Sequence, residues 1–338
     1  MKFKIFLILS FVVITANTAF SQKQYTIGFY NVENLFDTIH DKKKTDQEFL
    51  PTGKNQWNSE KYFNKLQHLS KVISELGSDD GPDVLGLCEI ENRRVLKDLI
   101  KTPLLQKKGY EIVHYESPDV RGIDVALFYK KSIFTFVDAK KYKVKLPDKK
   151  RSATRDILLV QLANNKNDTF VFLVNHFPSR LGGIEKSNPN RRAAATILKS
   201  VFDSIITANY LSNIVMMGDF NDEPEDSSIK FVLKCNSTMG ESSYNEIYNP
   251  MLDLKKKGEG TIVYKKQYEL IDQFMMSNHL LFQNNKVHYV PNSVTIFKPE
   301  YIQEQNPKYK GEPFRTMAGQ KYLNGYSDHF PIYMKIAY

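Results

Sequence analysis

The sequence predicts an α/β fold, and three features predict it. Short apolar runs bounded by turn residues alternate with longer stretches whose apolar positions recur at helical spacing. No composition break, proline-rich linker or internal repeat divides the chain. Cysteine occurs twice in 338 residues, too seldom for a disulfide scaffold to stand in for a core. With 41% hydrophobic and 25% charged residues, the chain can build that core and is neither a disordered tail nor a membrane bundle.

The first 21 residues stand apart from this fold. Lys2 and Lys4 precede an apolar run, Ile5 to Ala16, that is too short for a comfortable membrane span. Ala19 and Ser21 place small residues three and one positions before Gln22, as a signal-peptidase site does. We therefore expect residues 1–21 to be a signal peptide, the mature protein to be exported to the periplasm or beyond, and residues 22–338 to form one domain with no stable membrane span. No cysteine lies near the junction to carry a lipid. The formal charge of +9 falls to +7 with the loss of Lys2 and Lys4, the only charged residues in that segment. Such a basic surface suits an anionic partner, although solubility alone also accounts for many basic surfaces.

In chain order, alternation and β-branched content place strands at Tyr25–Asn31, Asp83–Glu89, Tyr110–Tyr115, Asp124–Lys130, Ile157–Leu162, Thr169–His176, Asn213–Asn221, Leu270–Met276 and Asp328–Ile336. Three helices carry one apolar face each and so cover a sheet. The first, about Ser59 to Leu76, presents Phe63, Leu66, Leu69, Val72, Ile73 and Leu76. The second, Asn92 to Ile100, presents Val95, Leu96, Leu99 and Ile100. The third, near Arg191 to Ile206, presents Ala194, Ile197, Leu198, Val201, Phe202 and Ile205. Three long irregular stretches remain, 38–58, 240–260 and 298–326, and loops of that length usually carry function or move. Cys88 and Cys235 read as buried small hydrophobes.

Polar residues gather at the carboxyl ends of the predicted strands, where an α/β scaffold presents them to ligand. The clusters are Tyr30-Asn31-Val32-Glu33-Asn34, Cys88-Glu89-Ile90-Glu91-Asn92, Asn175-His176-Phe177, Gly218-Asp219-Phe220-Asn221 and Tyr326-Ser327-Asp328-His329. Singly, each is an ordinary turn or cap. Glu89 is the strongest, because an acid closing the apolar run Val84 to Cys88 must be solvated, paired or coordinated. Asp222 to Asp226 is acidic enough for a calcium loop but lacks the central Gly and terminal Glu of an EF-hand. His40, His68, His114, His279 and His288 have no supporting motif and read as solvated or packed side chains.

Together these clusters, in this order across nearly the whole mature chain, resemble the endonuclease/exonuclease/phosphatase superfamily of metal-dependent phosphoesterases, which includes deoxyribonuclease-I-like enzymes and AP endonucleases. The resemblance implies a four-layer α/β sandwich, two mixed sheets face to face with helices outside. It implies that Asn31 and Glu33 form the first motif, Glu89 the metal-binding acid, His176 the middle histidine, Asp219 and Asn221 the Gly-Asp-x-Asn, Asp272 the late acid and Asp328-His329 the terminal pair.

From this follows an expected site. Glu89 and Asp328, with Asn31 and Glu33, hold Mg²⁺ or Mn²⁺; Asp219 and Asn221 act on water; His329 and His176 serve the transition state. Neighbours on a strand point to opposite faces, so Asp272 rather than Asp328 is expected to orient His329. Arg121, in Arg-Gly-Ile-Asp-Val-Ala, and Arg180 are expected to contact substrate phosphate; Arg191 and Arg192 read as surface arginines and Lys255 to Lys257 as a solvated run. The expected activity is hydrolysis of a phosphodiester in nucleic acid by a monomer. Lys308, Tyr309, Lys310, Arg315, Lys321 and Tyr322 supply the mix of basic and aromatic groups that a single strand binds. The alternatives are a lipid phosphodiesterase of sphingomyelinase type or a small-molecule phosphatase with the same catalyst, and, with a full set of expected ligands against it, an inactive binding module.

Overall fold

In the computed structural model, residues 22–147, 153–237 and 243–338 are described. The predicted signal peptide lies outside them. The chain runs through β1 (Gln24–Leu35), α1 (Ser59–Glu75), β2 (Val84–Ile90), α2 (Arg93–Ile100), β3 (Tyr110–His114), β4 (Asp124–Lys130), β5 (Phe134–Tyr142), β6 (Ile157–Asn164), β7 (Thr169–His176), α3 (Ile184–Ala208) and β8 (Asn213–Asp219). After a π-helical turn at Ser228–Leu233 come β9 (Cys235–Asn236), β10 (Ile247–Tyr248), α4 (Leu252–Lys256), β11 (Ile262–Tyr264), β12 (Gln267–Glu269) and β13 (Asp272–Ser277). The final elements are β14 (His288–Tyr289), β15 (Thr295–Ile296), β16 (Met317–Ala318), β17 (Lys321–Tyr322) and β18 (Ile332–Ala337).

Two large sheets result, with strand orders β14-β18-β1-β2-β4-β3, β15 also pairing with β18, and β5-β6-β7-β8-β13-β10-β9, beside the two-stranded ribbons β11-β12 and β16-β17. Both large sheets are mixed. β1 runs parallel to β2 and β7 to β8, and each of these pairs is joined by a helical crossover, α1 or α3, as a parallel connection requires. Along β7, Phe170, Phe172 and Val174 enter the core between the sheets, while Val171 and Leu173 pack under α3. The sheets approach closely at Gly86, where a Cβ would stand 2.5 Å from the Met217 sulfur across the interface.

α1 begins at Asn58, whose side chain accepts from the Lys61 N–H, and buries Leu66, Leu69, Val72 and Ile73. Phe63, expected on that face, is 57% exposed, because it lies about 120° around the helix from Leu69. Tyr62 and Lys65 are buried instead. α3 starts seven residues before its expected beginning; Pro189 reads as a break but sits near the helix start, where it costs one backbone hydrogen bond. β5 was not legible in the sequence because it is an edge strand, mostly exposed and rich in lysine. Asp328 and His329 lie on a bend ahead of β18 rather than on the strand, so their divergence does not come from strand alternation. Cys88 is buried as expected, whereas Cys235 is half-buried, and both are free thiols. Among the described residues no helix is long and apolar enough to cross a membrane.

Candidate active site

Sheet register assembles the site. Asn31 lies opposite Cys88, the residue before Glu89, on β1 and β2; His176 lies opposite Asp219 on β7 and β8; Asp219 lies opposite Asp272 on β13. The carboxyl ends of four strands and the start of a fifth therefore meet at one edge of the sandwich, and the bend before β18 adds Asp328 and His329. Local backbone strain marks the same edge: Glu33, Asn34, Glu89 and Asn221 all have positive φ, between 49° and 63°. Non-glycine residues hold such angles only where the surroundings over-determine them. Gly218 is required for a different reason, since a Cβ there would come within 2.4 Å of the Asn175 carbonyl oxygen.

At the centre, His329 Nδ1 lies 2.7 Å from Asp272 Oδ2, as the sequence predicted. Its Nε2 faces Asp219 Oδ2 at 3.9 Å and Asp328 Oδ1 at 4.0 Å. Burial on its own would depress the imidazole, but the Asp272 charge and hydrogen bond, then Asp219 and Asp328, raise its pKa well above the ordinary value. Asp219 accepts from Asn31 Nδ2 at 3.0 Å and from the Asn221 N–H at 2.9 Å. Burial and then the Asp272 charge push it up to about 7, against the opposing pull of His329 and the Asn221 amide. His176 Nε2 stands 3.6 Å from Asp219 and 3.9 Å from Glu89. Burial, then the charges of Arg155, Arg121 and His329, hold its pKa well below the ordinary value, so it is a neutral imidazole.

Two carboxylates are anchored by one oxygen and free at the other. Glu89 Oε2 accepts from the Asn34 N–H at 2.8 Å, and Asp328 Oδ2 accepts from Arg315 at 3.1 Å. Both side chains reach solvent, at 16% and 27% exposure. That donor set, hard oxygens held in place with one lone-pair face open, fits a divalent cation such as Mg²⁺ or Mn²⁺. Asp219, Asp272 and His329 also offer ligand atoms all within 4.8 Å of one another, but there the His329 imidazole is already engaged with Asp272 at 2.7 Å. Asn31 Oδ1 accepts from the Glu33 N–H and its amide donates to Asp219.

Four expected assignments change. Glu33 is not aimed at a metal: its carboxylate accepts from the Thr316 and Met317 N–H groups at 2.6 and 3.0 Å, clamping the 310s loop over the site. Arg180 is not free for substrate, since its guanidinium binds Asn221 O, Asp226 and Glu269 at 2.6, 2.9 and 2.8 Å. It positions the turn that carries Asp219. Arg191 is fully buried and binds Asp222 at 2.5 Å, so it too braces that turn. Arg121 remains half exposed, its guanidinium 3.6 Å from the Asp119 carboxylate that also accepts from its backbone N–H. Asn221 spends its side-chain amide on the Phe177 carbonyl, leaving its backbone N–H as the group that orients Asp219.

Two residues were not singled out from the sequence. Lys65, inside α1, donates to Thr316 Oγ1 and Tyr326 O and lies 3.9 Å from Glu33; burial lowers its pKa to about 8 despite Glu33, Asp328 and Glu89 around it. Arg155 ties Asp119 to the Phe177 carbonyl and so orders the loop of Arg121. A basic residue in an otherwise apolar helical stripe was the available signal for Lys65; Arg155 offered none.

The comparisons with known proteins show the family and the fold. Residues 26–338 match the family model described as endonuclease/exonuclease/phosphatase family. No curated protein sequence matches the chain at a significant level. Among solved structures, the fold is similar to that of an endonuclease/exonuclease/phosphatase family protein from Bacteroides thetaiotaomicron, with TM-score 0.58 and 15% identity over 93% of this chain and 98% of that one. A mannosyl-6-phosphatase from Bacteroides thetaiotaomicron VPI-5482 gives 0.56 and 15% over 93% and 100%. TDP2 of D. rerio, in complex with a single-strand DNA product, gives 0.56 and 13% over 93% and 99%. The four-layer sandwich expected from the resemblance is the shared fold.

Proposed function

The chain belongs to the endonuclease/exonuclease/phosphatase family, and from that premise we propose that it is an exported, divalent-metal-dependent phosphoesterase that transfers the phosphoryl group of its substrate to water. The observation that carries this reading is the buried His329–Asp272 pair at 2.7 Å facing Asp219 across 3.9 Å. Glu89 and Asp328, with the Asn31 carbonyl, would hold the cation, which when bound screens charge on the phosphoryl and leaving oxygens. Asp219, near pKa 7, accepts a proton from the attacking water. His329 in its protonated form donates to a non-bridging oxygen as negative charge builds there. Neutral His176, beside Glu89 and Asp219, adds a second donor on the same oxygens. Arg121, half exposed at the rim, suits the substrate phosphate.

Two substrate classes fit this catalyst. For nucleic acid speak the basic mature sequence, Arg121, and the likeness to a protein solved with a DNA product. Of the two aromatic groups expected to stack on a single strand, however, Tyr309 stays exposed, at 42%, while Tyr322 is spent on packing. Tyr322 packs edge-on to Trp57 at 6.3 Å, and Tyr326 lies between His68 and Tyr301 at 4.6 and 5.4 Å. A specific observation favours the second class, a small phosphate ester: a cavity of about 150 Å³ opens beside Glu33 and Asn34, lined in part by Trp57 and Thr316. The likeness to a mannosyl-6-phosphatase supports the same reading.

The test is a screen of purified residues 22–338 against DNA, RNA, sphingomyelin, sugar phosphates and bis-p-nitrophenyl phosphate, with and without Mg²⁺ and across a salt range. Mg²⁺-dependent turnover of a small ester with a shallow salt slope is expected. Efficient DNA or RNA cleavage that falls steeply with salt would return the function to the nuclease reading, because a polyanion releases several counterions on binding. Turnover of none of the panel would leave a binding module. Export predicts a mature N-terminus near Gln22 by mass spectrometry of protein from its native host; an intact Met1 on a cytoplasmic product would overturn it.

A further inference from the structure

The cavity beside the reacting centre is a built feature rather than a gap between loops. One wall is residues 48–57, the other the β16 hairpin, and Asn34, whose N–H holds Glu89, joins it to the catalytic edge. The loop wall is fixed by its own backbone: the Gly53 and Trp57 N–H groups both donate to Leu50 O at 2.9 and 3.1 Å, and the Asn55 N–H donates to Glu48 O at 3.2 Å. Trp57 is pinned by a 3.0 Å bond from Nε1 to the Phe36 carbonyl. A Cβ at Gly53 would overlap the Gln47 carbonyl oxygen, at 1.9 Å, so the turn closes only with glycine.

Inside this frame Asn55 is only 7% exposed, yet its carboxamide has no hydrogen-bond partner among the described residues. The residue is buried but its amide is not sealed from solvent, so its free donor and acceptor are presented to the cavity it lines. Asn34 and Glu48 line the same cavity, and neither side chain has an internal partner.

We propose that this cavity is the subsite for the organic group of the phosphate ester and that it takes a neutral, polyhydroxylated ring, making the substrate a sugar phosphate. The proposal rests on the small-ester reading above. Two carboxamides and a carboxylate ask for a ligand whose groups both donate and accept, which hydroxyls do. Glu48, exposed at the cavity wall, repels a second phosphate, against a nucleic-acid strand continuing through the cavity. A nucleobase has no platform there either: one face of Phe49 is stacked on Phe36 at 4.1 Å, and Trp57 stands edge-on at 6.2 Å. The volume of about 150 Å³ equals that of roughly five liquid waters at about 30 Å³ each, room for one small ring.

Two measurements test this. The first is kcat/KM for glucose 6-phosphate, glucose 1-phosphate and ribose 5-phosphate relative to p-nitrophenyl phosphate, which lacks ring hydroxyls. At least one sugar phosphate is expected to exceed p-nitrophenyl phosphate by on the order of a hundredfold, and Asn55→Leu, which keeps the side chain's shape and removes its donor and acceptor, to lower that ratio at least tenfold through KM. Glu48→Gln, at an exposed position where misfolding is not a concern, is expected to lower it severalfold. The second is saturation-transfer NMR with methyl glucoside and methyl mannoside in the absence of metal, where transfer to ring protons should be seen in wild type and lost in Asn55→Leu. Transfer without turnover of any ester would sustain the subsite and overturn the phosphoesterase reading instead. A ratio unchanged in both folded variants, or no transfer from wild type, would overturn the subsite.

Discussion

Replacing His329 with alanine is expected to lower kcat by a factor of roughly 10² to 10⁴, the usual range for an acid–base group. The loss follows from the position of Nε2, the ring nitrogen turned toward Asp219 while Nδ1 is held by Asp272. Asp272→Asn keeps the shape and removes the charge, so it should give a smaller fall together with a shift in the pH profile. His329 is protonated below its raised pKa and loses the proton as pH rises through it. Asp272 is the largest cause of that elevation. Without the carboxylate the alkaline limb of kcat must therefore move to lower pH. A variant that lost rate at every pH with the limb unmoved would mean that Asp272 serves packing rather than the charge of His329. Wild-type rates in both variants would remove His329 from the mechanism.

The catalytic edge was legible because its residues sit where short apolar runs end, and the ends of parallel strands converge whatever the loops do. Asn31, Glu89, His176 and Asp219 all belong to that class. Asp272 was reachable as well, since β13 pairs with β8 in a register that places it opposite Asp219. What the sequence did not reveal is which polar side chains pair with which. Arg180 and Arg121 look alike as exposed bases near a motif, and only the fold brings Asp226 and Glu269 to the first while leaving the second half exposed. Glu33 reads as a ligand from its place after Asn31, yet the 310s loop, almost three hundred residues away, folds back to occupy both of its oxygens. The cavity has the same origin. Its walls come from two irregular stretches without periodicity, and no local pattern announces that Asn55 and Met317 will face one space.

The cation is where the largest single effect is expected. Glu89→Gln should abolish Mg²⁺- or Mn²⁺-dependent turnover, and excess chelator should do the same to wild type, because a hard divalent ion requires the charge that the amide lacks. The substitution is close to isosteric. It retains an acceptor for the Asn34 N–H, which now holds Glu89 at 2.8 Å, so the strained turn at φ +63° has the same anchor and the fold should survive. The decisive reading is therefore binding rather than rate alone. Titration of Mn²⁺ into wild type should raise the melting temperature, by an amount that grows with the logarithm of free ion once the site is occupied, and the rise should be absent or much reduced in Glu89→Gln. Glu33→Gln makes the contrast. Its carboxylate is spent on Thr316 and Met317, so the variant should be less stable through its loop while still responding to Mn²⁺. If Glu33→Gln lost the Mn²⁺ response and Glu89→Gln kept it, the cation would sit on the other side of Asn31, and the assignment of Glu89 and Asp328 as its holders would be wrong. Full turnover by wild type in excess chelator would go further and remove the cation from the reaction, leaving His329, His176 and Asp219 to manage the charge of the transition state alone.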